Sequence, residues 1–199
     1  MKVIGIVGGI GAGKTTVAAN LMQLIPIEVI EADTIGHEVL LKGQAAYEPV
    51  LAAFGPSILD EQGEIVRKKL GAIVFSDPGK LQLLNEITHP IIQKEIERRI
   101  AWFKLAAPNH HILLEAALLI ESGLIELVDT VIAVYADENI RVQRVMAREG
   151  IIDTAVRDRI KVQKQWESFE EAADFVVDNS ISLDYTKQQL EEILKVYKT

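Results

Sequence analysis

Gly8-Gly9-Ile10-Gly11-Ala12-Gly13-Lys14-Thr15 fits the pattern G-x-x-x-x-G-K-[ST] at every fixed position. An apolar, β-branched run precedes it at residues 2–7 (KVIGIV), and Val17, Ala18, Leu21 and Leu24 follow at helical spacing. Strand, loop and helix therefore stand in the order that the pattern's mechanism needs. Glycines let the backbone curl so that successive N–H groups converge on phosphate oxygens, and the following helix adds the positive end of its dipole. Lys14 is expected to reach the β- and γ-phosphates of ATP, and the Thr15 hydroxyl to ligate the Mg²⁺ that bridges them. Gly9, Ile10, Gly11, Ala12, Gly13, Lys14, Thr15 and Thr16 are thus the predicted cofactor-binding residues of the loop. The competing reading is a glycine-rich turn that binds nothing.

Downstream, Pro26 stops the first helix, and residues 27–30 make a second apolar strand that ends at Glu31-Ala32-Asp33. Asp33 is expected to open the next helix. Residues 34–107 read as helical, with breaks at Gly55-Pro56, at the turn 60–63, at Asp77-Pro78 and at His89-Pro90. Strand signals return at 112–114, 130–135 and 175–177, and a last helix runs from about 183 to 197. Buried strands alternating with helices predict an α/β fold: a five-stranded, mostly parallel sheet flanked by helices, with 34–107 as a helical insertion. In such sheets ligands collect beyond the carboxyl ends of the strands, which directs attention to the loop, Asp33, Glu115 and Asp137.

At 199 residues and 49% hydrophobic, the chain is long enough for one well-buried domain, with room for a subdomain. Acidic residues outnumber basic ones, 29 to 21, and a net charge of -8 disfavours nucleic acid and anionic membranes as partners. The bound anion must be held locally. The sequence has no cysteine, no recognisable export signal and no apolar run long enough for a membrane span, so a cytoplasmic protein is expected, as a monomer or weak homo-oligomer.

The loop alone predicts nucleotide binding without specifying the reaction. A GTPase would carry an N-K-x-D sequence, which is absent, and the D-x-x-G at 60–63 lies inside the helical insertion, where it reads as a polar turn. A kinase needs a base for the acceptor hydroxyl, and Asp33 is placed for it, although Asp is equally a favoured helix N-cap. Arg141, Arg144 and Arg148, at i, i+3 and i+7, share one side of a helix that Asp137 is expected to cap. They either close over phosphates or form a solvated face. Glu115 could hold a metal-bound water or pair with a base. No two histidines among His37, His89, His110 and His111 have zinc-site spacing, and Trp102, Trp166 and the phenylalanines read as packing residues.

Further motifs carry a resemblance. The chain is similar to the dephospho-coenzyme A kinases over nearly its whole length: GGIGAGKT, EADTIGHEVL, FGPSILDEQGEIVRKKLGAIVF, LNEITHPII, ALLIESGL, RVQRVMARE and ADFVVDN appear in order. The resemblance implies a P-loop NTPase fold in which ATP phosphorylates the 3′-hydroxyl of the ribose of dephospho-coenzyme A. It implies a nucleotide-binding core (1–33, 108–136 and 171–199), a helical acceptor-binding region (34–107) and a lid (137–170). It favours Asp33 as general base beside Lys14, makes Arg144 a lid arginine on the transferring phosphates, and adds Arg148 and Asn179 to the nucleotide site. His37, Arg67 and His89 fall at positions used around the acceptor.

This chain also departs from the family. It reads KQWESFEEAAD after Gln163, with Phe169 and Glu170 where basic residues are common; Lys161 and Lys164 are the nearby cations. Glu115 and Ala117 stand where Asp and Pro are frequent. Two other functions keep the loop: a kinase for another small hydroxyl compound, such as a nucleoside or a shikimate-like acceptor, and a nucleotide-binding adaptor without turnover.

Overall fold

A computed structural model describes residues 1–197. The chain divides into two compact units: Met1–Val29 with the chain from Phe103 onward, and Ile30–Trp102.

The first unit is built on β1 (Val3–Val7), β3 (His111–Glu115), β4 (Thr130–Tyr135) and β5 (Phe175–Asp178), with β2 (Ile27–Glu31) beginning in it and ending in the second. The sheet order is β2-β3-β1-β4-β5. β1 pairs in parallel with β3 on one side and with β4 on the other, and β4 pairs in parallel with β5. Every residue of β1 is buried, as a central parallel strand covered on both faces requires. Helices α1 (Lys14–Leu24) and α9 (Leu183–Tyr197) pack on one face through Val17, Ala18, Leu21, Leu190 and Leu194, against Ile4, Ile6, Leu113, Ile132 and Val177 of the strands. Between β4 and β5 come α6 (Glu138–Glu149), α7 (Asp153–Lys161) and α8 (Trp166–Glu171). The connection leaving β1 runs to one side of the sheet and the connection leaving β4 to the other. Their shared upper edge is the switch point at which ligands of such folds bind.

The second unit is helical: α2 (Ala32–Glu38), α3 (Tyr47–Phe54), α4 (Arg67–Phe75) and most of α5 (Pro78–Ala106). Ile35, Val50, Ile58, Leu70, Val74 and Ile96 are buried. The D-x-x-G stretch is the tip of a small hairpin: Leu59 and Ile65 form a bridge, and Asp60 Oδ1 accepts from the N–H groups of Gln62 and Glu64. The carboxylate is spent on its own turn, which disposes of the GTPase reading of that motif.

Three expectations need correction. His89-Pro90 does not break the helix; α5 runs unbroken through Pro90. Proline removes one N–H and crowds the preceding turn, but long helical stretches on either side and the buried Thr88, Ile96 and Ile100 hold the segment in line. Asp33 is not a cap, because β2 passes directly into α2 and the N-cap falls on Glu31, whose carboxylate accepts from Thr34 Oγ1 at 2.6 Å. The aromatic residues do not all pack inside: Phe75 is 84% exposed and Trp102 57%.

His111, at the start of β3, has its pKa lowered by burial and by the nearby amino terminus and Lys2. A folded pKa below the ordinary 6.5 means that the folded state disfavours the imidazolium, so stability is intact above that pH and declines as pH falls through it. The urea midpoint is therefore expected to be lower at about pH 5.5 than at about pH 7.5. His111→Asn should flatten this dependence; an unchanged slope in that variant removes the assignment.

Candidate active site

The loop that follows β1 turns on glycines whose missing side chains are structural necessities. Gly11 (φ +77) and Gly13 (φ +95) sit in the left-handed region. A Cβ on Gly11 would lie 2.5 Å from the Arg141 carbonyl oxygen, and one on Gly13 would lie 2.1 Å from Asn179 Nδ2. The loop is thus in contact with α6 and with the end of β5. Gly13 is also the N-cap of α1, so the N–H groups of Lys14, Thr15 and Thr16 belong to the first turn, which has no intrahelical acceptor. First-turn N–H groups of this kind are free to receive the oxygens of an anion.

Lys14 Nζ donates to the Gly8 carbonyl at 2.7 Å and to that of Gly9 at 3.4 Å, which folds the ammonium over the loop. Burial lowers its pKa, the positive charges of Arg141 and Arg148 lower it further, and Glu121 opposes them. A cation held against two other cations and partly out of water is poised to gain strongly from an arriving polyanion. Lys14 and Gly8 line a cavity of about 390 Å³ whose other walls are the 116–121 loop, Val162, Gln163, Lys164 and Phe169.

Helix α6 starts at Asp137, as expected, but the Asp137 carboxylate accepts from the Tyr135 hydroxyl and makes no capping bond. The arginines that follow are not a simple solvated face. Arg141 Nε donates to the Ile10 carbonyl at 2.9 Å. Arg144 Nη1 reaches the Gly11 and Ala12 carbonyls at 3.4 and 3.3 Å, and its Nη2 donates to the Asn179 carbonyl at 2.8 Å. Arg148 is exposed and pairs with Glu149.

Asn179 is 4% exposed, and its Nδ2 donates to Ala12 O at 2.8 Å. The fully buried Thr186 hydroxyl, on α9, donates to Asn179 Oδ1 at 2.9 Å and thereby fixes which end of the amide faces the loop. Thr186→Val keeps the shape but strands that buried oxygen. It is expected to cost about 1–3 kcal/mol in a denaturant titration, whereas Thr186→Ser should recover most of it. Equal stability of the valine variant and the parent would rule the network out as a support.

In the second unit the carboxylate of Asp33 is exposed in the first turn of α2, with no bonding partner among the described residues. His37 lies one turn further on, on the same side of α2, and its Nδ1 is 3.5 Å from Arg67 Nη1. The structure thus groups Asp33, His37 and Arg67. His89 stands apart, lining a separate cavity of about 640 Å³ with Leu81, Gln82 and Asn85. No cluster of acidic, histidine or cysteine side chains able to hold a metal occurs among the described residues.

A sequence model of the dephospho-CoA kinases matches residues 2–184. The chain belongs to the dephospho-CoA kinase family. A dephospho-CoA kinase of Carboxydothermus hydrogenoformans is 39% identical over 198 residues, which are 100% of this chain and 95% of that protein. Among solved structures, TT1252 from Thermus thermophilus aligns with a TM-score of 0.79 at 30% identity, covering 100% of this chain and 98% of that one. The dephospho-CoA kinase of Campylobacter jejuni aligns at 0.71 and 26% identity, covering 98% and 96%. The fold is the P-loop kinase fold.

Against this family frame, three residues at the loop escaped the sequence-predicted set. Arg141 was visible as the first of the three spaced arginines, with nothing to rank it beside Arg144. Gln163 Oε1 accepts from the Ile10 N–H at 2.8 Å, and no local pattern marks it. Glu121 lies within the family-like ALLIESGL stretch, beyond the strand end that directs attention to Glu115, and lines the cavity with Lys14. Of the two lysines flanking Gln163, Lys164 lines the loop's cavity, while Lys161 pairs with Asp158 at 3.0 Å.

Proposed function

We propose that this chain transfers the γ-phosphoryl group of ATP to the 3′-hydroxyl of the ribose of dephospho-coenzyme A, giving coenzyme A and ADP, the last step of coenzyme A biosynthesis. The observation that carries this reading is the phosphate loop, held from outside by Arg141, Arg144 and Asn179 with Lys14 over it, in a chain of this family. A loop preorganised in this way stabilises charge without reorganising at the moment of reaction.

In the proposed mechanism the first-turn amides of α1 and Lys14 receive the β- and γ-phosphates. Asp33 accepts the proton of the ribose hydroxyl as its oxygen attacks the γ-phosphorus in line, and Arg144 neutralises charge on the transferring group as the bond to ADP breaks. His37 and Arg67 bind the acceptor, with His89 contributing from its own cavity. Arg148 and Asn179 complete the nucleotide site, the former by its charge and the latter by holding the loop. Thr15 presents an exposed hydroxyl in the first turn, which fits a metal carried in by the nucleotide. Mg²⁺ held there by the Thr15 hydroxyl and the nucleotide would supply neutralisation of phosphate charge. Residues 137–170 act as a lid over a core of 1–33, 108–136 and 171–199, with 34–107 binding the acceptor.

No helix among the described residues is long and apolar enough to cross a membrane. The test is ADP release across a panel of dephospho-coenzyme A, a nucleoside and shikimate. Release dependent on the first alone is expected. Equal release with any of them, or with none, overturns the assignment.

A further inference from the structure

Gln163 lies in the connection between α7 and α8, far from the loop in sequence, yet its side chain accepts the Ile10 N–H at 2.8 Å. The peptide unit joining Gly9 to Ile10 is therefore tied at both ends. Its N–H is held by Gln163, and its carbonyl accepts from Ala12 N at 3.2 Å and from Lys14 Nζ at 3.4 Å. In a planar trans peptide the N–H and C=O point to opposite sides, so fixing the N–H outward fixes the carbonyl inward, toward the lysine. The next peptide is tied in the same sense, with Ile10 O accepting from Arg141 Nε at 2.9 Å. The Ile10 side chain packs against Val142, Val145 and Val156 of α6 and α7, which leaves that residue little freedom to rotate. Gln163 also lines the cavity that Lys14 and Gly8 share.

The geometry points to Gln163 as a positioning residue for Lys14, acting through the peptide that joins Gly9 to Ile10. Without an oxygen at this place the Ile10 N–H has no partner on that side, the peptide is free to tilt, and the Gly9 carbonyl leaves the lysine. An ammonium displaced by a fraction of its bond length meets the transferring phosphate less well, and small misplacements of this kind cost an order of magnitude or more in rate. The inference rests on the kinase reading above, and the two fail separately: the parent enzyme must first show acceptor-dependent ADP release, and only then does the Gln163 comparison have meaning.

The test is a double-mutant cycle on kcat/KM for ATP, using Gln163→Leu in the parent and in a Lys14→Ala background. Gln163→Leu alone is expected to lower kcat/KM about tenfold, with the KM for dephospho-coenzyme A unchanged. In the Lys14→Ala background the same change should cost less than about twofold, because the group it positions is already gone. Gln163→Asn, one methylene too short to reach Ile10, should behave as the leucine variant. Gln163→Glu, which keeps an acceptor oxygen, should restore most of kcat. A tenfold loss in both backgrounds, or full activity of the leucine and asparagine variants, overturns the proposal. Thermal unfolding of each variant separates lost positioning from lost folding: if the leucine variant melts early, the asparagine and glutamate pair decides.

Discussion

Lys14→Ala is expected to lower turnover on the order of a hundredfold or more, measured as acceptor-dependent ADP release at saturating ATP. The lysine sits over the loop on the carbonyls of Gly8 and Gly9, with its charge unfavourably placed beside Arg141 and Arg148 until an anion arrives. That frustration is relieved most when the γ-phosphate carries its greatest charge, so the loss should fall on kcat more than on nucleotide affinity. Lys14→Arg should rescue little, since a planar guanidinium cannot take the place of a compact ammonium between two backbone oxygens. Near-parental turnover of the alanine variant would remove the lysine from the mechanism.

Asp33→Asn should produce a loss of comparable size, on the order of a hundredfold in kcat, with the KM for ATP little altered. The variant is informative because the carboxylate has few other duties. The cap of α2 is Glu31, Asp33 is exposed, and its side chain makes no bond among the described residues, so the exchange of an oxygen for a nitrogen should leave the helix intact. Unchanged thermal unfolding together with lost turnover identifies proton acceptance. Unchanged turnover would move the search to Glu121, the exposed carboxylate in the cavity beside Lys14.

Much of this site is written locally in the sequence. A loop that needs left-handed backbone at Gly11 and Gly13, and no side chain where Asn179 passes, demands glycine there, and the demand is visible without knowing what lies nearby. The alternation of apolar strands with helices likewise announced the five-stranded sheet. What escaped was decided by contacts between distant segments. The arginines of α6 fit a solvated face and a phosphate clamp equally well as a pattern, and only the approach of α6 to Ile10 and Ala12 separates the two. Gln163 is one polar residue among many until the chain folds it onto the loop. Pro90 obeys a local rule for ending helices, and the buried residues around it prevail. Asp33 has the residue type of a cap, but α2 already begins at Ala32, directly after β2, so the cap falls on Glu31.

The loop hangs from β1, which has a hydrogen-bonded strand on each side and no exposed residue. A strand so enclosed exchanges its amides only when the whole domain opens, whereas peripheral helices and sheet edges fray at far smaller cost. The glycine loop is thereby anchored in the part of its unit slowest to open, so fraying of the helices and sheet edges leaves that anchor in register.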